Sequence, residues 1–262
     1  FNPYHISVSN FTSHLKLPSL DVADLQAEIL SLSLQENSGL SVKNIEAVFR
    51  SKDTKFWSEK LKIELPYSEL QADSLEYNLL NSRFLLKGNF LLVPSEMALF
   101  MAELNKLNDT IKAQTRISGK LPAIYLDTLL LTYGDKMALD GSAYIDDYEK
   151  YDKSKLGLNI GKFKITPEAI SQFARIGDST FVMPEILSVV DVIRLNALAT
   201  GSLDDLKLQA EAWTNQGAVQ LVYDISVKDT TFQNFDVTAD LSTQNFNLTP
   251  FVGTETGLGR VS

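Results

Sequence analysis

Cysteine is absent from the 262 residues. Disulfides, thiolate metal sites and cysteine nucleophiles are thereby excluded. Histidine is nearly absent as well. Only His5 and His14 occur, close together near the N-terminus, and the pair reads as polar surface residues rather than a metal site. A Ser-His-Asp arrangement would need one of those two, and nothing supports it. There is no Gly-rich phosphate loop, no His-Glu metal helix and no nucleophile elbow. No apolar run is long enough to cross a membrane as a helix, and no secretory leader is present. Positive charge is also scarce: 24 Lys and Arg against 33 Asp and Glu leave a net charge of −9. That balance argues against nucleic acid and against electrostatic docking onto anionic lipid head groups.

What is abundant is alternation. Ile111-Lys112-Ala113-Gln114-Thr115-Arg116-Ile117-Ser118-Gly119-Lys120-Leu121 alternates apolar and polar residues up to a Ser-Gly. The segment Ile193-Arg194-Leu195-Asn196-Ala197-Leu198-Ala199-Thr200-Gly201-Ser202-Leu203 does the same 82 positions later. At that offset Leu126 meets Leu208 and Leu131 meets Trp213. Period-two alternation is the pattern of a strand with one apolar face, and self-similarity at a fixed offset points to a stacked repeat. The endings agree: Phe163-Lys164-Ile165-Thr166-Pro167 returns as Phe246-Asn247-Leu248-Thr249-Pro250. Approximate units of 1–109, 110–191 and 192–262 follow, with no linker or low-complexity segment between them.

Along the rest of the chain, residues 6–36 are strand-like, with Ile6, Val8 and Phe11 leading, Leu15 and Leu17 following around Lys16, and Leu30-Ser31-Leu32-Ser33-Leu34 alternating strictly. Glu36-Asn37-Ser38-Gly39 reads as a turn. Val42 to Phe49, Lys60 to Leu65, the stretch from Leu70 through Leu75, and Phe84 to Val93 are further strands, with a hairpin loop near Ser51-Lys52-Asp53 and Pro66 as a stop. Three helices are expected. The first is capped by Ser95, with Met97, Phe100, Met101, Leu104 and Leu107 on one stripe. The second starts at Thr166-Pro167-Glu168 and carries Ile170, Phe173 and Ile176. A third, short one opens at Pro184-Glu185.

The acidic pairs Asp146-Asp147 and Asp204-Asp205 sit in apparent turns, where solvated loop carboxylates are the default. Asn10, Asn108 and Asn247 begin glycosylation-like triplets of little weight. No catalytic residue, metal ligand or cofactor is assigned. A sheet with one apolar face must cover it. It can pack against a second sheet in an ordinary core, close into a barrel, or curl into a gutter open to an apolar ligand. For the gutter, the candidate groove residues are Ile111, Ala113, Ile117, Ile124, Leu126, Leu130, Ile193, Leu195, Leu206 and Leu208. Charged residues such as Lys112, Arg116 and Arg194 fall on the opposite parity and face water. A glycan-binding module would need a polar and aromatic cluster, for which Tyr144, Tyr148 and Tyr151 are the nearest candidates.

Several strings carry a family resemblance. They are Leu32-x-Leu34-x-Glu36-x-Ser38-Gly39-Leu40, Leu65-Pro66-x-Ser68-x-Leu70, and the helix after Pro94. Ser118-Gly119, Leu129 to Gly134, Phe246-x-Leu248 and Leu258-Gly259-Arg260-Val261-Ser262 complete the set, in order across most of the chain. The chain resembles an internal segment of the TamB/AsmA-like proteins of Gram-negative envelopes, particularly the long Bacteroidetes versions. The abrupt start at Phe1-Asn2-Pro3 and the end in what looks like a new strand fit a piece of a longer protein.

The resemblance implies a mainly β fold: an elongated, curled antiparallel sheet, a β-taco with a groove, built from repeated strand sets with short helices between them. It implies a periplasmic location within an inner-membrane-anchored protein whose anchor lies outside these residues. Phospholipid acyl chains are the implied partner, carried between inner and outer membrane. The alternative is a scaffold for the outer-membrane assembly machinery through strand pairing. The family contributes no catalytic residues, and no nucleic acid partner is expected.

Overall fold

The computed structural model describes residues 8–21, 24–36, 39–150, 153–202, 204–227, 235–249 and 260–261. His5, Ile6, Asn37, Ser38, Tyr151, Leu203, Pro250, Leu258 and Gly259 lie outside the described residues. The protein is mainly β, with antiparallel strands joined in sequence order and short helices between strand sets. Two compact units, residues 1–121 and 122–262, make up the chain.

In the first unit the ladder runs through β1 (Val8–Ser19), β2 (Gln26–Glu36), β4 (Asn44–Lys52), β5 (Lys55–Glu64), β6 (Glu69–Asn78), β7 (Arg83–Leu92) and β8 (Ile111–Lys120), with the two-residue β3 (Ser41–Val42) beside β2. The second unit joins β9 (Ala123–Tyr133), β10 (Met137–Ile145), β11 (Leu156–Ile165), β12 (Ile193–Ser202), β13 (Asp205–Thr214), β14 (Gly217–Val227) and β15 (Phe235–Gln244). A two-residue ladder pairs β16 (Phe246–Asn247) with β17 (Arg260–Val261). In neither unit do the first and last long strands pair with each other, so neither sheet closes on itself.

Tight connections follow from backbone chemistry. Asp53 takes a left-handed φ of 52° in the hairpin between β4 and β5, and Gly39 takes 103° after β2. Aspartate and glycine tolerate that region best. The repeat is visible in the strands: β8 and β12 are both ten residues long and begin at the two ends of the 82-residue offset.

The helices agree in part with expectation. α2 (Pro167–Gly177) starts as its sequence demands: Thr166 is extended, its hydroxyl accepts from the Ala169 amide at 3.2 Å, and proline occupies the first turn. This satisfies a backbone donor that the helix start would otherwise orphan. α3 (Glu185–Ser188) is a single turn. The helix expected from Ser95 through Leu107 is not one helix. α1 (Pro94–Met97) makes one turn, Met101 then extends at φ −143° and ψ 100°, and Ala102–Lys106 forms a 3-10 turn. Its N-cap is Val93, which offers no side-chain acceptor. A segment this short does not hold helix on propensity alone, and the chain bends to bury Leu107.

Bulges interrupt the alternation. Leu30 has no partner in β1, because Ser31 pairs with His14 and Ile29 with Leu15. Leu30 is therefore the extra residue and is 48% exposed, while Leu32 and Leu34 keep their places in the ladder. Glu59 is extra in β5 against β4, and Asp73 is extra in β6 against β7. The Asp73 bulge explains a spacing the sequence already carried: Leu70, Ala72 and Leu75 face one way although the last step is three residues. Ser58, buried beside the Glu59 bulge, donates its hydroxyl to the Lys60 carbonyl at 2.9 Å.

α2 packs against the second unit's strand ends. Tyr133 at the end of β9 is fully buried, its hydroxyl donates to Gln172, and its ring meets Phe173 edge-on at 5.2 Å. Tyr133→Ala is expected to destabilise the second unit by about 3–5 kcal/mol, as large aromatic deletions in cores do. Tyr133→Phe is expected to cost about 1 kcal/mol, the net worth of the hydrogen bond. Urea unfolding followed by far-UV circular dichroism reads both; equal, near-zero effects would refute the helix anchor.

Candidate functional site

Each unit presents one apolar sheet face, and its composition follows from register. In the second unit, four lateral rows of this face carry the groove candidates. Ile124, Ile145, Leu156, Gly201, Leu206, Ile225 and Val237 form one row; Leu126, Ala143, Leu158, Ala199, Leu208, Tyr223 and Ala239 form the next. Leu195 lies in a row with Leu139 and Phe163, and Ile193 in one with Met137 and Ile165. Leu126 and Leu208, equivalent by the sequence repeat, thus stand at the same height on the same face. In the first unit, Ile111, Ala113 and Ile117 share a face with Leu92, Phe90 and Leu86 of β7. Leu70, Leu75, Leu61, Ile63, Ile45 and Phe49 continue it across β6, β5 and β4.

One of the ten groove candidates stands apart. Between Leu126 and Leu129, β9 places Asp127 and Thr128 opposite the single residue Ser142 of β10. This two-against-one bulge inverts parity. Leu130 then pairs with Asp140, points to the other face and is 40% exposed. The same bulge separates the repeat partners Leu131 and Trp213. Leu131 lies with the apolar rows, whereas Trp213, on the unbulged β13, pairs with Arg194 on the opposite face. The clue available to sequence reading was the uninterrupted Leu129-Leu130-Leu131, which no strict alternation accommodates.

The apolar faces are only partly covered. Among the described residues, the apolar side chains that are buried on the long strands are mainly small: Ala47, Ala72 and Ala199, beside Tyr133 and Ile165. The larger groove candidates Ile111, Ile117, Ile124, Leu126, Ile193, Leu195, Leu206 and Leu208 are half-buried. Small residues line the rows where strands crowd. A Cβ at Gly88 would meet the Gln71 carbonyl oxygen at 2.5 Å, and one at Gly141 the Asn159 carbonyl oxygen at 2.8 Å. At the bulge in β11, Asn196, with its amide nitrogen turned towards the strand, donates to the Gly161 carbonyl at 2.8 Å.

No family model, curated protein or solved structure matches the chain. The geometry of the two faces therefore carries the functional argument.

The opposite face is polar. In the first unit it is laced with ion pairs: across strands Lys55 with Glu76 at 2.8 Å, Lys60 with Glu46 and Lys62 with Glu69, and along β5 Lys62 with Glu64. The hydrogen bond from Lys60 and then its charge hold the Glu46 carboxyl below the usual value of 4.5. Lys62 does the same to Glu64, and Glu64 in turn raises Lys62 above 10.5. In the second unit this face carries Tyr125 and Tyr144, stacked at 6.2 Å, with the Tyr144 ring lying over Gly157. Tyr148 is exposed in the 3-10 turn Tyr148–Lys150, apart from that stack.

The acidic pairs do turn work. The Asp147 carboxylate accepts from the Glu149 and Lys150 amides at 3.0 and 3.3 Å, and Asp205 opens β13 at its hairpin. His14 lies within hydrogen-bonding reach of the Ser31 hydroxyl, at 3.4 Å. No cluster of three or more His, Asp or Glu side chains fit to hold a metal ion occurs among the described residues.

The ion-pair ladder makes a prediction with a definite sign. Carboxyls with lowered folded values stabilise the fold above their ordinary pKa, and that contribution is lost as pH falls through the folded value. The denaturation midpoint of the first unit is therefore expected to fall between about pH 5 and about pH 3, less steeply in the Lys60→Gln/Lys62→Gln double variant and less steeply at high salt. Lys62 adds a loss at the alkaline end, once pH rises through its raised value. Identical acid slopes in the parent and the double variant would refute the pairing.

Proposed function

We propose that the apolar sheet faces hold lipid acyl chains, making this chain part of a conduit for phospholipid between membranes. The observation that carries the reading is the succession of half-buried Ile and Leu side chains in register across neighbouring strands, with no second long-stranded sheet in the same unit among the described residues. An apolar surface left partly open in this way is a binding surface by its chemistry. Each methylene transferred from water onto it contributes on the order of 0.8 kcal/mol, so a chain of a dozen or more carbons is held without any polar anchor. The mechanism is passive: side chains shield the acyl tail while the polar head remains in water, and no step requires a catalytic group. The resemblance to TamB/AsmA-like envelope proteins favours the same reading, with a periplasmic location and an anchor elsewhere in the parent protein.

A second reading is assembly of β-rich clients by strand pairing. It is favoured by β15, for which β14 is the one long ladder partner among the described residues, and whose residues Asp236 to Ser242 are all exposed, Leu241 among them. An unpaired strand edge is a template for another strand.

A same-strand comparison separates groove from surface. With a photoactivatable phospholipid in a Gram-negative host, Leu126→Lys and Leu208→Lys are expected to reduce crosslinking at least about tenfold, the cost of a charge on an apolar site exceeding 1.4 kcal/mol. Leu130→Lys, on the other face beside Asp140, is expected to leave it unchanged. Equal crosslinking in all three variants would refute the acyl groove. Under the strand-pairing reading the variants load alike, and loss follows instead from a proline placed in the outer edge of β15.

A further inference from the structure

The charged face of the second unit holds a place where three cations gather and none forms an ion pair among the described residues. Ala138, Lys164, Arg194 and Trp213 form a lateral row across β10, β11, β12 and β13. Lys164 and Arg194 are directly opposed. Lys162 projects from the same face one step along β11, beside the bulge. Together with Asn196 these residues line a recess of about 390 Å³. None of the ion pairs among the described residues involves Lys162, Lys164 or Arg194. The Lys164 ammonium donates to the Asp135 carbonyl at 2.9 Å, a neutral partner. Asp140, which pairs with Lys162, and Glu211, which pairs with Asn196, are the nearest acids in register, and neither is within 4 Å of the three cations.

Like charges directly opposite on a sheet destabilise it. The acid-rich chain has carboxylates to spare, yet the fold retains two cations face to face here.

We propose that this recess binds a phosphate group. Three cations from two strands surround one spot, which suits a tetrahedral anion with several acceptor oxygens better than a two-oxygen carboxylate. The guanidinium supplies paired donors, and the two ammonium groups supply point charges. The Trp213 indole and the methylene stems of Lys162 and Lys164 give the recess an apolar wall, so a phosphate joined to a carbon skeleton fits better than the bare ion. The site lies on the face opposite Leu126 and Leu208, and it does not depend on the acyl-chain reading. The net charge of −9 governs long-range attraction; the recess acts at contact, where local charge decides.

Trp213 provides the readout. The chain has two tryptophans, so Trp57→Phe leaves the recess as the sole indole signal. The full chain carrying this change is titrated separately with inorganic phosphate and with phosphatidylglycerol vesicles. A saturable fluorescence change is expected, weakened about tenfold in Arg194→Gln and in Lys164→Gln, one charge-assisted hydrogen bond being worth about a factor of ten or more. It is expected to be unchanged in Lys207→Gln, a cation already paired with Asp224. A response to both probes identifies the phosphate group itself as the ligand. A response to vesicles alone, with the same loss in the variants, identifies a lipid head group as its source. No response to either, or an equal response in the parent and both recess variants, overturns the proposal. Arg194→Gln relieves the opposed charges and is expected to fold at least as stably as the parent, which keeps lost binding distinct from lost structure.

Discussion

A sheet that alternates apolar and polar residues, with no second long-stranded sheet in its own unit among the described residues, has to be held together sideways. Within each unit stability rests on strand-to-strand hydrogen bonding and on side chains meeting their neighbours in the same lateral row, not on a thick core. That is why the fully buried residues of the long strands are so often alanine and serine. At Gly88 and Gly141 backbones approach more closely than any Cβ allows, and Ala47 and Ala72 are buried. Larger side chains stand between these contacts with part of their surface open. The helices serve the strand ends: α2 seals Tyr133, and the broken segment after β7 buries Leu107.

Bulges give the design its second variable. In a strict ladder every second residue keeps its face, so one inserted residue exchanges the faces of everything beyond it. Leu126 and Leu130 share a strand and a parity in sequence but occupy opposite faces, because Asp127 and Thr128 together oppose Ser142. The same device in β6 does the reverse, bringing Leu75 onto the face of Ala72. Buried polar groups support these places, as Ser58 does beside Glu59.

The two faces carry different chemistry at no cost to each other. In the first unit the polar face distributes its charge as ion pairs across and along the strands, each weak alone because it is exposed. In the second unit it gathers cations around Trp213 that form no ion pair among the described residues. An acyl-binding face and a phosphate-binding recess on opposite sides of one sheet would let the same strands contact both ends of a lipid's chemistry at separate places. The proposed reading needs no catalytic residue, and the turn roles of the acidic pairs are consistent with that.

Much of this architecture was legible in the order of residues. Alternation announced the strands, the 82-residue offset announced that β8 and β12 are equivalents, and Thr166-Pro167 announced the start of α2, because each of these depends on local backbone preferences. Nine of the ten groove candidates fall on the apolar face of their own unit's sheet for the same reason. The position of Leu130, the separation of Leu131 from Trp213, the breaking of the helix after Pro94, and the meeting of Lys164 with Arg194 were decided only by tertiary structure. Each depends on which residue of a neighbouring strand stands opposite. That pairing is set by bulges and by the crowding of distant backbones, and the alternation of a single strand carries no record of it.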